Sequence, residues 1–102
     1  MSDGVIITID MVIKPEFAEQ VIAGIPRMFE DTVRFEGFRS IRVVRHQHAS
    51  NHLLIVEHWD TEAHYQAYQA WRNRGGDMDA AMELLQSYRY DAWPALVGSA
   101  GV

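Results

Sequence analysis

Asp10 is a carboxylate in the middle of Val5 to Ile13, a run that is otherwise mainly apolar. A carboxyl group withdrawn from water favours its neutral form, so its pKa rises and it becomes a candidate general base. Further along, Tyr65, Tyr68 and Trp71 recur at a spacing of three residues, which places them on one helical face. Such a stripe either fills a core or stacks on a flat substrate, with the Tyr68 hydroxyl offered to an anionic oxygen. The chemistry suggested is proton abstraction from an acidic aromatic molecule. Asn73, near the end of the same helix, could orient a substrate oxygen or serve as an ordinary helix-end residue. His58, inside a strand, is a further candidate base. The candidate catalytic set is therefore Asp10, Tyr68, Asn73 and His58, and the substrate-binding set is Tyr65, Trp71 and Arg42. The competing reading of Asp10 is a salt bridge to Arg42 or Arg89 on adjoining strands.

His46, His48 and His52 cluster around a polar turn, and three imidazoles could hold zinc or nickel. No carboxylate or cysteine completes the set at a telling spacing, so solvated turn histidines are the expectation and no metal is assigned. The chain has no cysteine. Disulfides, thiolate nucleophiles and thiolate metal sites are thereby excluded, and redox logic leaves the compartment open. The net charge is −5 and no basic run offsets it, which disfavours a nucleic-acid partner. No stretch approaches the ~18 apolar residues of a membrane span. The opening MSDGVIITID lacks a basic segment before its apolar run, unlike a secretory signal. Cytoplasm is the expected location.

These residues need elements to position them. With 102 residues, 48% of them hydrophobic and 23% charged, the chain reads as one domain over 1–102, with its core at about 5–93 and a tail at 95–102. Val5 to Ile13 reads as a first strand, apolar at all its odd positions and, with Ile6 and Val12, at two of its four even ones. A helix follows from about Pro15 to Arg34, with Phe17, Val21, Ile25, Met28, Phe29 and Val33 on its apolar face and a bend expected at Pro26. Phe38 to His46 and Leu53 to Trp59 form a hairpin. The aromatic helix opens at Asp60 or Thr61 and stops at Gly75-Gly76. Asp77 would cap a short helix carrying Met78, Ala81, Met82 and Leu85, and Gln86 to Trp93 is the last strand. The order gives an α+β class: a ferredoxin-like βαββαβ arrangement with an antiparallel four-stranded sheet. Helices would cover one face only. The other, poor in charge, calls for a partner, most simply a second copy with C2 symmetry, so a homodimer is expected.

Glu36-Gly37 before the second strand, and Glu57-His58-Trp59-Asp60 leading into the helix, carry a resemblance over roughly residues 5–93. The chain resembles the antibiotic biosynthesis monooxygenase family of small dimeric α+β barrels. That resemblance implies cofactor-independent oxygenation of a small hydroxylated aromatic or quinol-type substrate by molecular oxygen. It also leaves two alternatives: an isomerase using the same pocket, or a non-catalytic module that binds a small ligand. Many relatives carry a histidine nine residues after the tryptophan, where this chain has Tyr68, and a second one that corresponds to Asn73. The haem-degrading branch matches at Asp10, Tyr68 and Met78, without an imidazole, so haem is not the expected cofactor. Glu57 and Trp59 share a strand face and are assigned to strand pairing and dimer packing.

Overall fold

β1, Val5–Ile13, occupies the middle of the sheet because it is apolar at both parities. It pairs antiparallel with β3, Ala49–Trp59, on one side and with β4, Leu85–Trp93, on the other. β2, Phe38–His46, completes the sheet beyond β3, giving the order β2-β3-β1-β4. This is the antiparallel ferredoxin-like arrangement that the sequence pattern predicts. The computed structural model describes residues 3–101, and of residues 77 and 78 only the backbone. Met78, and with it the reading of that side chain as helix core, lies outside the described residues.

Two helices pack on one face. A 3₁₀ turn at Pro15–Phe17 leads into α1, Ala18–Thr32. Pro26 sits inside α1 without ending it. The turn to β2 comes earlier than the apolar pattern predicts, which leaves Val33 exposed and Thr32 fully buried. α2, Glu62–Arg74, starts at Thr61, whose hydroxyl accepts the His64 amide at 3.1 Å, the usual way of satisfying a first-turn donor. A short helix, α3, spans Asp77–Met82, with Gly76 rather than Asp77 in its N-cap position.

Register settles which residues face the helices. Ile9 lies opposite Ile55 and Tyr90, whereas Asp10 lies opposite Leu54 and Arg89. Val5, Ile7, Ile9, Ile55, Trp59, Tyr65 and Tyr68 form the buried cluster under the helices. Each such side chain contributes about 1.5–3 kcal/mol by leaving water. Trp59 is its centre, packed edge-on against Phe38 and Tyr65. The opposite face carries Ile6, Val12, Leu54, Val56 and Trp93 together with Asp10, His52 and His58. No described helix covers it.

Gly37 ties the start of β2 to the start of α2. Its φ of +87° is left-handed, and a Cβ there would stand 2.3 Å from the His64 ring. Its carbonyl accepts the Asp60 amide at 2.7 Å. The glycine in the Glu36-Gly37 pair is thus required by backbone geometry and by close approach.

The aromatic spacing on α2 resolves differently from the expectation. Tyr65 and Tyr68 are buried, but Trp71 is 40% exposed. At about 100° per residue, two steps of three leave residue 71 about 120° from residue 65, while a step of seven returns to within about 20°. Arg72, not Trp71, therefore shares the inward face with both tyrosines.

Candidate functional site

Between α1, α2, α3 and the sheet lies a cavity of about 320 Å³, at the lower end of the roughly 300–1,000 Å³ of small-molecule sites. Its walls are apolar, with Ile9 and Met11 from β1, Leu53 and Ile55 from β3, and Val21, Ile25 and Met28 from α1. Glu57, Tyr68, Arg72 and Tyr88 bring polar groups into it.

Glu57 occupies the buried parity of β3 and is 3% exposed. Trp59, two residues on, donates from Nε1 to Glu57 Oε1 at 3.0 Å. The other carboxyl oxygen makes no hydrogen bond to a described residue. Burial raises the Glu57 pKa above its ordinary 4.5, while the Trp59 hydrogen bond and the Arg72 charge pull it back. The carboxyl group thereby moves toward the range useful for proton transfer.

Arg72, in the last turn of α2, reaches the cavity beside Tyr68. Its Nε donates to the Tyr68 hydroxyl. Its Nη2 donates to the Met28 carbonyl at 3.1 Å and to Thr32 Oγ1 at 3.4 Å. Thr32 Oγ1 donates to the Met28 carbonyl at 2.9 Å and lies 2.8 Å from the Tyr68 hydroxyl. Thr32 has a single hydroxyl proton, so the Tyr68 proton must point at Thr32. The chain therefore has one sense: Tyr68 to Thr32 to Met28. Burial raises the Tyr68 pKa against the lowering effects of Thr32 and Arg72. Burial also raises Tyr88, partly offset by Tyr65.

Of the residues expected at the site, Tyr68 lines this cavity. Tyr65 belongs to the core beneath it, stacked on Tyr90 at 5.4 Å between ring centroids. Its hydroxyl is buried beside Tyr88 without a hydrogen bond of good geometry. Trp71 packs on Phe35 at the surface, 5.0 Å between centroids, and Asn73 is exposed near the end of α2.

Asp10, His58 and Arg42 are corrected to the opposite face of the sheet. Their neighbours Ile9, Glu57, Ile41 and Val43 turn toward the helices, and alternation sends them the other way. Asp10 pairs with His52 at 2.8 Å rather than with Arg42 or Arg89. Arg89 pairs with Asp91. His58 Nε2 meets the Asp3 carbonyl at 2.7 Å. The His46 and His52 rings stack 5.3 Å apart, and the described residues hold no group of three or more His, Asp or Glu side chains converging on one point.

Arg72, Thr32 and Tyr88 are polar residues for which the sequence pattern suggested no role, and Glu57, expected to serve strand pairing and dimer packing, reaches the cavity. Glu57 carried a usable signal: it is the one acid on the parity of Leu53, Ile55 and Trp59. Arg72 carried another, four residues after Tyr68.

A four-stranded antiparallel sheet with helices on one face, and a small apolar cavity between them bearing a few convergent polar groups, defines a ferredoxin-like α+β fold. The family follows from the sequence. Residues 4–84 match the model of the antibiotic biosynthesis monooxygenases, and the chain belongs to that family. Solved structures share the fold. A Deinococcus radiodurans protein, provisionally classed as an antibiotic biosynthesis monooxygenase, superposes with a TM-score of 0.82 at 20% identity, covering 96% of this chain and 98% of that one. Rv0793 from Mycobacterium tuberculosis gives 0.80 at 14% identity, over 94% and 98%. A variant of SnoaB, a cofactor-independent oxygenase from Streptomyces nogalater, gives 0.73 at 18% identity, over 92% and 94%. No curated protein matches the chain. Among the described residues no helix is long and apolar enough to cross a membrane.

Proposed function

We propose that this protein is a cofactor-independent monooxygenase acting on a small hydroxylated aromatic or quinol-type substrate. One observation carries the reading: an apolar cavity of about 320 Å³ whose few polar groups include a buried carboxyl group and an arginine. A substrate with an acidic CH₂ flanked by rings, or its enol tautomer, loses one proton to a base, and the resulting delocalised anion reduces oxygen. One oxygen atom stays as a carbonyl and the other leaves as water, so the substrate supplies all the electrons. The protein's part is to accept the proton, stabilise the anion and exclude water from the intermediate. The family assignment and the fold shared with SnoaB support this reading.

The assembly proposed is a homodimer in which a second copy covers the open sheet face, where Trp93, Leu54 and Val44 are exposed. Sedimentation showing a stable 11.7 kDa monomer at micromolar concentration would refute it.

The test of function is oxygen uptake with a panel of anthrone- and quinol-like compounds, without added metal or flavin. Uptake above the uncatalysed rate, lost in Glu57→Gln, supports the oxygenase. Tight binding without uptake favours a ligand-binding module, and product without oxygen consumption favours an isomerase.

A further inference from the structure

The Arg72 guanidinium forms no ion pair with any described residue. Its protein partners are all neutral: the Tyr68 hydroxyl, the Met28 carbonyl and Thr32 Oγ1. These contacts occupy Nε and Nη2 and leave Nη1 without a hydrogen-bond partner among the described residues. A partly buried guanidinium held by neutral acceptors presents its positive charge to an apolar cavity, where charges interact more strongly than in water and where it faces the Glu57 carboxyl group without pairing with it. Tyr68 already directs its proton to Thr32, so its hydroxyl cannot donate to a ligand without breaking that chain. It positions Arg72 instead. Glu57, in the same cavity, has one carboxyl oxygen held by Trp59 and the other without a hydrogen-bond partner among the described residues.

From this geometry we infer that the cavity takes an ionisable phenol or enol and holds it as its oxyanion, with Arg72 binding the oxygen and Glu57 receiving the proton. The ligand O–H bond breaks, the electron pair stays on the ligand oxygen, and the proton forms a new bond to the free Glu57 oxygen. No electron changes hands in this step. The other titratable groups facing Glu57 are Tyr65 and Tyr68 from α2 and Tyr88 from β4, and each is raised by burial. None of them competes with Glu57 as proton acceptor near neutrality. The inference rests on reading this cavity as the substrate site, and it narrows the substrate to molecules with an acidic hydroxyl.

The experiment uses 4-nitrophenol, whose neutral and ionised forms absorb at different wavelengths and whose nitro group resists oxidation. Bound to the full chain, the probe should be phenolate at a pH where the free probe is mainly neutral, with its acid constant raised at least tenfold. Arg72→Gln should abolish that shift and weaken binding at least tenfold, whereas Arg72→Lys should keep part of both. Circular dichroism of each variant checks folding, and the lysine variant preserves the charge if the glutamine variant fails to fold. Calorimetry in buffers of different ionisation enthalpy should show no net proton release with the native chain and release to the buffer with Glu57→Gln. A neutral bound probe, no binding, or an unchanged shift in Arg72→Gln would overturn the inference. Phenolate binding without oxygen uptake on any substrate would overturn the oxygenase and keep the anion site. Turnover with a neutral bound phenol would do the reverse.

Discussion

Trp59 donates a 3.0 Å hydrogen bond to Glu57, its neighbour but one on the buried face of β3. Tryptophan can only donate and an ionised carboxylate can only accept, so the pair is matched for the charged form. Trp59→Phe keeps most of the ring packing and deletes the donor. It should destabilise the fold by about 2 kcal/mol or more, read by urea unfolding. It should also raise the Glu57 pKa further. An unchanged midpoint would mean that the hydrogen bond adds nothing beyond packing.

Glu57 sets a pH dependence whose sign is fixed. Its folded pKa is raised above the ordinary 4.5, so between the two values the folded chain binds more protons than the unfolded one. Stability is therefore highest below the unfolded value and falls as pH rises through the folded value. Glu57→Gln should flatten this decline and be the more stable form near neutrality. If Glu57 is the base, the same variant should lose at least about 100-fold in turnover. A variant with the native pH–stability curve would contradict this assignment.

Tyr65 carries a buried hydroxyl without a hydrogen bond of good geometry among the described residues. Removing such a group relieves a desolvation cost of roughly 1–3 kcal/mol. Tyr65→Phe should leave thermal stability unchanged or raise it. A marked loss would reveal an ordered partner for that oxygen.

Gly37→Ala should cost about 2 kcal/mol or more, because φ is +87° and the new Cβ would stand 2.3 Å from His64. Because the His64 Cβ alone would stand 2.5 Å from the new Cβ, a thermal melt of the Gly37→Ala, His64→Gly pair, read against His64→Gly alone, separates the two causes. Recovery of the contact component alone is the expected result.

Asp10→Asn tests the two-faced sheet. The Asp10–His52 pair is exposed enough to contribute at most about 1 kcal/mol, and its face is not the cavity face. Binding of a cavity ligand, followed by fluorescence titration, should change by less than about 0.5 kcal/mol. A larger loss would return Asp10 to the site.

The elements were legible from local signals. The bounds of β1 follow from an apolar run that Lys14-Pro15 ends, the hairpin from a polar turn, although β3 begins at Ala49 rather than Leu53, and the start of α2 from a capping threonine. The faces were not legible. β1 and β3 are apolar at both parities, so alternation alone could not say whether Asp10 or Ile9 looks toward the helices. For the same reason Glu57 read as a pairing residue although it reaches the cavity. Trp71 misled through its chemistry: an aromatic spaced three from Tyr68 outweighed the arginine four residues on, although the helical angle favours the arginine. Thr32 gave no signal, since its role depends on contact with a helix far away in sequence.

The clamp at Gly37 makes α2 a cantilever. Its first turn is fastened to the start of β2 through the Asp60 amide and the close seat of His64. Displacement then grows with distance along the beam. At about 1.5 Å per residue, Arg72 stands about 15 Å from the first helical residue and Tyr65 about 4.5 Å. A tilt of about 5° would carry Arg72 about 1.3 Å but Tyr65 only about 0.4 Å. The Arg72 hydrogen bonds to the Met28 carbonyl and Thr32 therefore act where leverage is greatest, tying the far end of α2 to α1, while the core tyrosine sits near the fulcrum.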